Sequence, residues 1–466
     1  MSANPRFDAP LIRRYDRPGP RYTSYPTAVD FHTGFGEADY RVAAGTSNTL
    51  QSRRPLSLYV HVPFCRSPCF YCGCNKVITR DTQKAAAYMV RLCREIELAG
   101  ALFDRARPVQ QLHFGGGTPT YLDDPQLKEL IGALGRSFSL SDDPAREYSI
   151  ELDPRTVDAQ RLAHLVALGF NRFSLGIQDF DTEVQRAVNR EQSAEETLAL
   201  MQAARDLGVK SLSVDLIYGL PKQTPQSFAR TLERVAQARP ERVAVYSYAH
   251  MPHLFKPQRQ IRDAELPAPE TKLALLGLAI ETLTQAGYVY VGLDHFALAD
   301  NELIEAQSNG TLQRNFQGYS THAETDLVAL GVSAISRVGD TYSQNVKTLG
   351  EYYQRLDAGE LPVERGLCLT AEDVLRRDVI QTLMCATRLD FAAIERVHDI
   401  QFETHFAAEL EELQPLVDDG LVVREPRALA ITPTGRLLLR NVAMVFDARL
   451  RVARAPGATP RFSRVV

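Results

Sequence analysis

Six short β-rich runs, at residues 56–61, 109–114, 148–152, 172–177, 211–217 and 243–248, alternate with longer stretches of helical spacing. The helical stretches span 84–101, 125–138, 158–168, 194–207 and 225–238, and a further one, 269–286, follows the sixth run. Strands joined by helices of this length are βαβ units, which assemble into a parallel sheet. Right-handed crossovers curl such a sheet toward a barrel. The expected fold class is therefore α/β, a partial (β/α)6-type barrel of parallel strands occupying residues 50–286.

Unusual residues cluster just after these runs: a cysteine-rich loop at 65–74, Gly115–Gly116–Gly117–Thr118, Asp153–Pro154, Gln178 and Gly219–Leu220–Pro221. In parallel barrels the βα loops converge at that rim, so an active site is expected there.

The cysteine loop carries the chemistry. Four of the seven cysteines fall within ten residues, Cys65, Cys69, Cys72 and Cys74. The first three have the spacing C-x3-C-x2-C, which a compact loop can wrap around one metal–sulfur cluster. Three ligands would leave one iron open. Four buried thiols are the bland reading, and zinc held by Cys69 and Cys72 with Cys65, Cys74 or His61 is another. A ferredoxin-type carrier would need a fourth, remote ligand, and no motif surrounds Cys368 or Cys385.

Composition narrows the class. The balance of 53 basic against 57 acidic residues, net −4, argues against a general nucleic-acid binder. No apolar run suffices to cross a bilayer, and the first residues lack a secretory h-region. A cysteine cluster in such a chain points to metal or redox chemistry in a reducing cytoplasm.

Before the barrel, residues 1–49 form an arm with a basic and aromatic run at 13–26. Its three prolines and one glycine argue against a helix. Residues 287–364 extend the core. From 365 to 466 the pattern turns helical, with a helix start at Thr370, a short hairpin around Pro426 and a final helix opening at Thr434–Arg436. Helices plus a hairpin are expected to give a mostly helical, winged-helix-like domain. Its acidic middle (Glu409, Glu411, Glu412, Asp418, Asp419) disfavours DNA.

The C-x3-C-x2-C loop after a first barrel strand resembles the radical S-adenosylmethionine superfamily. The segments Tyr59–Cys65, Cys72–Lys76, His113–Thr120, Leu216–Pro221 and Arg314–Tyr319, with the arm at 15–27 and Arg376–Ile380, resemble one branch. That branch is the oxygen-independent coproporphyrinogen III oxidase family, and the likeness spans nearly the whole chain. The arm and Cys74 separate it from a related haem-chaperone branch.

The resemblance implies that Cys65, Cys69 and Cys72 hold a [4Fe–4S] cluster, with Cys74 outside that mount. It implies two molecules of S-adenosylmethionine. Tyr59, Gly116, Gly117, Thr118, Glu151 and Ile335 match contacts to the first. Tyr71, Gly117, Thr118, Gln178, Arg190, Asp215 and Ala249 match contacts to the second. Residue by residue, plainer readings stand beside these: a tight turn for the glycine run, a solvated face for Glu151, ordinary ion pairs for Arg190 and Asp215, packing for Tyr71. His61 reads as a structural member of the loop rather than a base.

The implied reaction is anaerobic oxidative decarboxylation of two propionates of coproporphyrinogen III to vinyl groups, giving protoporphyrinogen IX, with an external flavodoxin- or ferredoxin-type donor and a monomeric chain. No catalytic acid–base pair is required. Arg13, Arg14, Arg17 and Arg21 with Tyr15, Tyr22 and Tyr25 could cover the substrate as a lid. A haem-binding chaperone and another radical enzyme, such as a methyltransferase, are the rivals.

Overall fold

The computed structural model describes residues 4–49 and 54–453, with Phe462 and Arg464. The expected boundary between arm and barrel at 49/50, and most of the chain after 453, lie outside the described residues.

All six expected strands form: β1 Leu56–Val62, β2 Pro108–Gly116, β3 Glu147–Leu152, β4 Arg172–Gln178, β5 Ser211–Tyr218 and β6 Arg242–Ser247. The helices between and after them are Thr82–Gly100, Asp124–Ser137, Ala159–Ala167, Ala194–Asp206, Pro225–Ala238 and Pro269–Gln285. Helix starts follow the chemistry of their caps. Asp123 and Gln126 form a reciprocal capping box, as do Thr224 and Ser227, each followed by proline in the first turn.

Along the main path of the sheet follow β7 Tyr288–Gly292, β8 His295–Leu298, β9 Asp326–Leu330, β10 Ile335–Val338, β11 Thr341–Asn345 and β12 Val363–Cys368, and a two-residue strand, Ser139–Leu140, pairs parallel beside the start of β2. The order is β7-β8-β6-β5-β4-β3-β2-β1-β9-β10-β11-β12. β9 pairs parallel with β1, adding a seventh parallel strand to the expected six. Antiparallel strands extend both edges, so the sheet curls without closing. A hairpin, Gln313–Asn315 with Gly318–Ser320, reaches across from the central β2 to β8 near one edge. Its Ser320 Oγ accepts from Gln111 Nε2 of β2 at 3.0 Å, and Tyr319 meets the His295 ring of β8 edge-on at 5.3 Å.

Parallel strands covered on both faces usually read as continuous apolar runs. Here β3 and β4 alternate strictly between buried and half-buried. Tyr148, Ile150, Leu152, Phe173, Leu175 and Ile177 join the large core. The opposite positions are polar: Glu147, Ser149, Glu151, Arg172 and Ser174, with Ser213 and Asp215 on β5, line a hollow interior. The barrel is therefore cored on its outside and lined with polar groups within.

The arm departs from expectation in two ways. A helix, Ala9–Tyr15, capped by Asp8, takes in Arg13, Arg14 and Tyr15; the chain leaves it only as Pro18 and Pro20 approach. Nor do the tyrosines face a substrate. Tyr22 and Tyr25 are each 1% exposed and lie in a second core shared with the C-terminal region. The Tyr22 hydroxyl donates to Asp447 at 2.9 Å, Tyr15 bonds Asp419, and Arg440 holds the carbonyls of Gly19 and Pro20. The arm is thus a packed strap, not a free lid.

The C-terminal region opens with Ala371–Cys385, capped by Thr370. The expected hairpin, Val422–Glu425 with Ala428–Ile431, gains a third strand, Arg388–Asp390, completing a wing. The segment at Thr434 begins as a 3-10 turn, Gly435–Leu438, before the helix Leu439–Ala443. Glu409 is not part of an acidic surface; it is buried against Arg376 at 3.0 Å.

Candidate functional site

A cavity of about 450 Å³ opens at the C-terminal ends of β1 to β5. Cys65, Cys69, Cys72 and Cys74 stand on one wall, with Tyr71 and Lys76. Gly116, Gly117, Thr118, Glu151, Gln178, Arg190 and Asp215 form the others. Eleven of the fourteen residues singled out for cluster or cofactor thus come together.

The loop is anchored at both ends. Phe64–Cys65 pairs with Val77–Ile78, and Thr79 N–H donates to the Cys65 carbonyl at 3.0 Å. His61 is a strut: its ring bonds the Asn75 carbonyl and the Tyr59 hydroxyl, each at 3.0 Å, and burial lowers its pKa so that it stays neutral. The thiols differ. Burial pushes Cys65 up to about 11, against a hydroxyl donated by Thr118 at 3.4 Å. The hydrogen bond with Cys74, helped by Lys76, brings Cys72 down to about 5 and drives Cys74 well up. Among the described residues no three Cys, His, Asp or Glu side chains stand close enough for one metal ion; thiols around a larger inorganic body need not.

The glycine run extends β2 beneath this loop. Gly117 N–H donates to Val62 O at 2.8 Å and Thr118 N–H to Phe64 O at 2.9 Å. Gly116 takes φ +113°, and a Cβ there would lie 2.6 Å from the His61 ring; one at Gly117 would lie 2.7 Å from the Pro63 carbonyl carbon. Only glycine lets these backbones approach so closely.

Glu151 accepts from Gly116 N–H at 3.1 Å and meets His113 Nε2 at 3.3 Å. Burial opposes its charge, yet His113 and Gly116 hold its carboxyl below the usual range. It remains an anion at the cavity, suited to an ammonium group. Arg190 makes the ordinary ion pair, to Asp153 at 3.2 Å, and donates to Gly176 O at 2.7 Å. Its Nε is buried without a hydrogen-bond partner, a donor that a ligand carboxylate would satisfy. Gln178 sits at φ +66°, where β4 leaves register with β5; strain of this kind at a strand end marks functional positions.

Asp215 is not the plain acceptor expected. Burial, then the Glu151 charge, raises its pKa to about 7, with Ser174 Oγ donating at 3.4 Å. Near neutrality it can donate as well as accept. Its ordinary value is 3.8. Between 3.8 and about 7 the folded chain keeps a proton that the unfolded chain has released, so stability falls as pH rises through that window. Asp215→Asn stays neutral, and its melting temperature should exceed the parent's by a margin that grows from pH 5 to pH 8.

Three candidates stand off the wall. Tyr59 stacks on His113 at 5.8 Å, behind Glu151. Ala249 is tied to the site through Gln258, whose Nε2 donates to the carbonyls of Tyr71 at 2.9 Å and Ala249 at 3.2 Å. Ile335 packs beside Phe31, Tyr342 and Leu367 instead, because the start of β10 turns its side chain into that apolar cluster. Arg155, Ser174 and Tyr246 line the cavity without having been singled out. The inward polar alternation of β3, β4 and β5 was the available signal for Ser174.

Residues 59–235 match the model of the radical SAM superfamily, and residues 369–438 match the HemN C-terminal domain. An oxygen-independent coproporphyrinogen III oxidase from Pseudomonas aeruginosa is 51% identical over 461 residues, 99% of each chain. The chain belongs to the oxygen-independent coproporphyrinogen III oxidase family. The Escherichia coli oxidase is 50% identical over 460 residues, covering 99% of this chain and 98% of that one. The solved structure of coproporphyrinogen III oxidase from E. coli, described as a radical SAM enzyme, superposes with a TM-score of 0.90 over 96% of this chain and 100% of that chain. The three cysteines, Glu151 and the glycine run of this oxidase family member lie in its superfamily-matching segment.

Proposed function

We propose that the chain converts coproporphyrinogen III to protoporphyrinogen IX without oxygen, as an oxidoreductase of haem biosynthesis. Each of two propionates loses a hydrogen atom from its β-carbon, one electron and carbon dioxide, leaving a vinyl group. The observation that carries this is the meeting of three cluster-spaced thiols, Glu151, Arg190 and Asp215 on one cavity, in a chain alike end to end with curated oxidases.

When bound, a [4Fe–4S] cluster with S-adenosylmethionine would supply one-electron radical chemistry. Cys65, Cys69 and Cys72 would hold the cluster. Glu151 and the Gly116–Gly117 backbone would bind the methionine ammonium of one S-adenosylmethionine. Arg190 would take the carboxylate of a second, and Asp215 its ribose. Fixed donors around the cavity would orient the reactants. We further infer a reducing, cytoplasmic setting, an external flavodoxin- or ferredoxin-type donor and a monomer. The described cysteines are all free thiols, and no described helix is long and apolar enough to cross a membrane.

Anaerobic turnover of coproporphyrinogen III with S-adenosylmethionine and a low-potential reductant tests this. Two equivalents of 5′-deoxyadenosine per protoporphyrinogen IX are expected. Cleavage of S-adenosylmethionine with no vinyl product would refute the substrate assignment.

A further inference from the structure

We propose that Arg155 is a positioning cation that sets the reduction potential of the cluster by donating a charged N–H to Cys69. The proposal rests on the iron–sulfur reading of the cysteine loop. Cys69 sulfur is the focus of two guanidinium groups, Arg190 Nη1 at 3.5 Å and Arg155 Nη2 at 3.8 Å. The other two thiols are treated differently. Among the described residues Cys65 receives the neutral Thr118 hydroxyl, at 3.4 Å. At Cys72 the cation is a lysine, Lys76, which bonds the thiol and donates to the backbone carbonyl at 3.1 Å, with no guanidinium fork.

Arg155 is held in place by a built arrangement. Asp153 ends its strand, caps the 3-10 turn Pro154–Thr156 and accepts from Arg155 Nε at 2.9 Å and Nη2 at 2.7 Å. The same carboxylate accepts from Arg190 Nη1 at 3.2 Å. Thr156 and Thr120 hydroxyls, 2.7 Å apart, pin the turn to the 3-10 turn Pro119–Tyr121 that follows β2. One carboxylate therefore aims two cations at one sulfur. Arg190 also has an unpartnered Nε to offer a ligand, whereas Arg155 is tied to Asp153 through both Nε and Nη2. Arg155 is the standing donor.

Hydrogen bonds and positive charge at cluster sulfurs stabilise the added electron of the reduced state, raising the potential. Removing Arg155 should make the cluster harder to reduce. For the reconstituted holoprotein, poised with mediators against dithionite, Arg155→Gln should lower the reduced-to-oxidised ratio at fixed potential about tenfold, equivalent to about 59 mV for a one-electron couple. Arg155→Lys, which keeps the charge without the planar fork, should lie between the two. A parent-like potential in Arg155→Gln with full iron content overturns the proposal, as does loss of the cluster from both variants, which would make Arg155 an assembly residue. Failure of the parent chain itself to hold iron and sulfide refutes the iron–sulfur reading instead.

Discussion

Cys65→Ala is expected to lose iron, sulfide, 5′-deoxyadenosine formation and vinyl product together, each to background. Cys65 follows Phe64 at the hinge between β1 and the loop, and its backbone is held by bonds that alanine keeps, notably Thr79 N–H to Cys65 O at 3.0 Å. The variant should therefore fold like the parent by circular dichroism while lacking the visible absorption of a cluster. Cys74→Ala provides the contrast. Its thiol is bonded to Cys72 and kept protonated there, so iron content should survive its removal. Retention of S-adenosylmethionine cleavage by Cys65→Ala would sink the three-cysteine mount.

The largest effect on stability is expected from Arg107→Ala. Arg107 and Asp326 are an ion pair 2.5 Å apart with side chains only 1% and 2% exposed. Arg107 also donates to Arg54 O at 2.8 Å, Ser47 Oγ at 2.9 Å and Asn48 Oδ1 at 3.2 Å. It thereby ties the helix Glu37–Thr49 to the start of β9. Breaking one partner of such a pair strands the other charge in the interior, a loss of about 3–5 kcal/mol. Replacing both by apolar groups, Arg107→Met with Asp326→Leu, should recover much of it. Denaturant midpoints of the single and double variants measure this; a single variant as stable as the parent would refute it. Burial raises the Asp326 pKa, but Ser47, Gly339 N–H and Arg107 together bring it below the ordinary 3.8. The stabilisation is thus present above about 3.8 and disappears as pH falls through the folded value.

The barrel was legible because its strands carry an apolar outer face against helices of regular period. Phe173, Leu175 and Ile177 alternate with Arg172, Ser174 and Gly176 in plain view. β9 was not, since the residues around it lack a following helix; it is recruited by β1 from more than 250 positions away. The C-x3-C-x2-C loop could be read because its ligands are local. Arg155 reaches Cys69 across 86 positions, and no local pattern announces that. Tyr22 and Tyr25 misled for the same reason. Their neighbours in sequence are basic and polar, whereas their neighbours in space, Leu375, Leu439 and Met444, are apolar residues near the other end of the chain.

The strap formed by Gly19 and Pro20 has a bearing on synthesis. Gly19 lies so close to Met444 that a Cβ would fall 2.4 Å from its sulfur, and both carbonyls wait for Arg440. The segment at Gly19 and Pro20 therefore has no seat until the residues around Arg440, roughly 420 positions later, have been made. At about 5–20 residues per second that interval is on the order of 20 to 85 seconds. Throughout it, Tyr22 and Tyr25 lack the C-terminal half of the core that buries them.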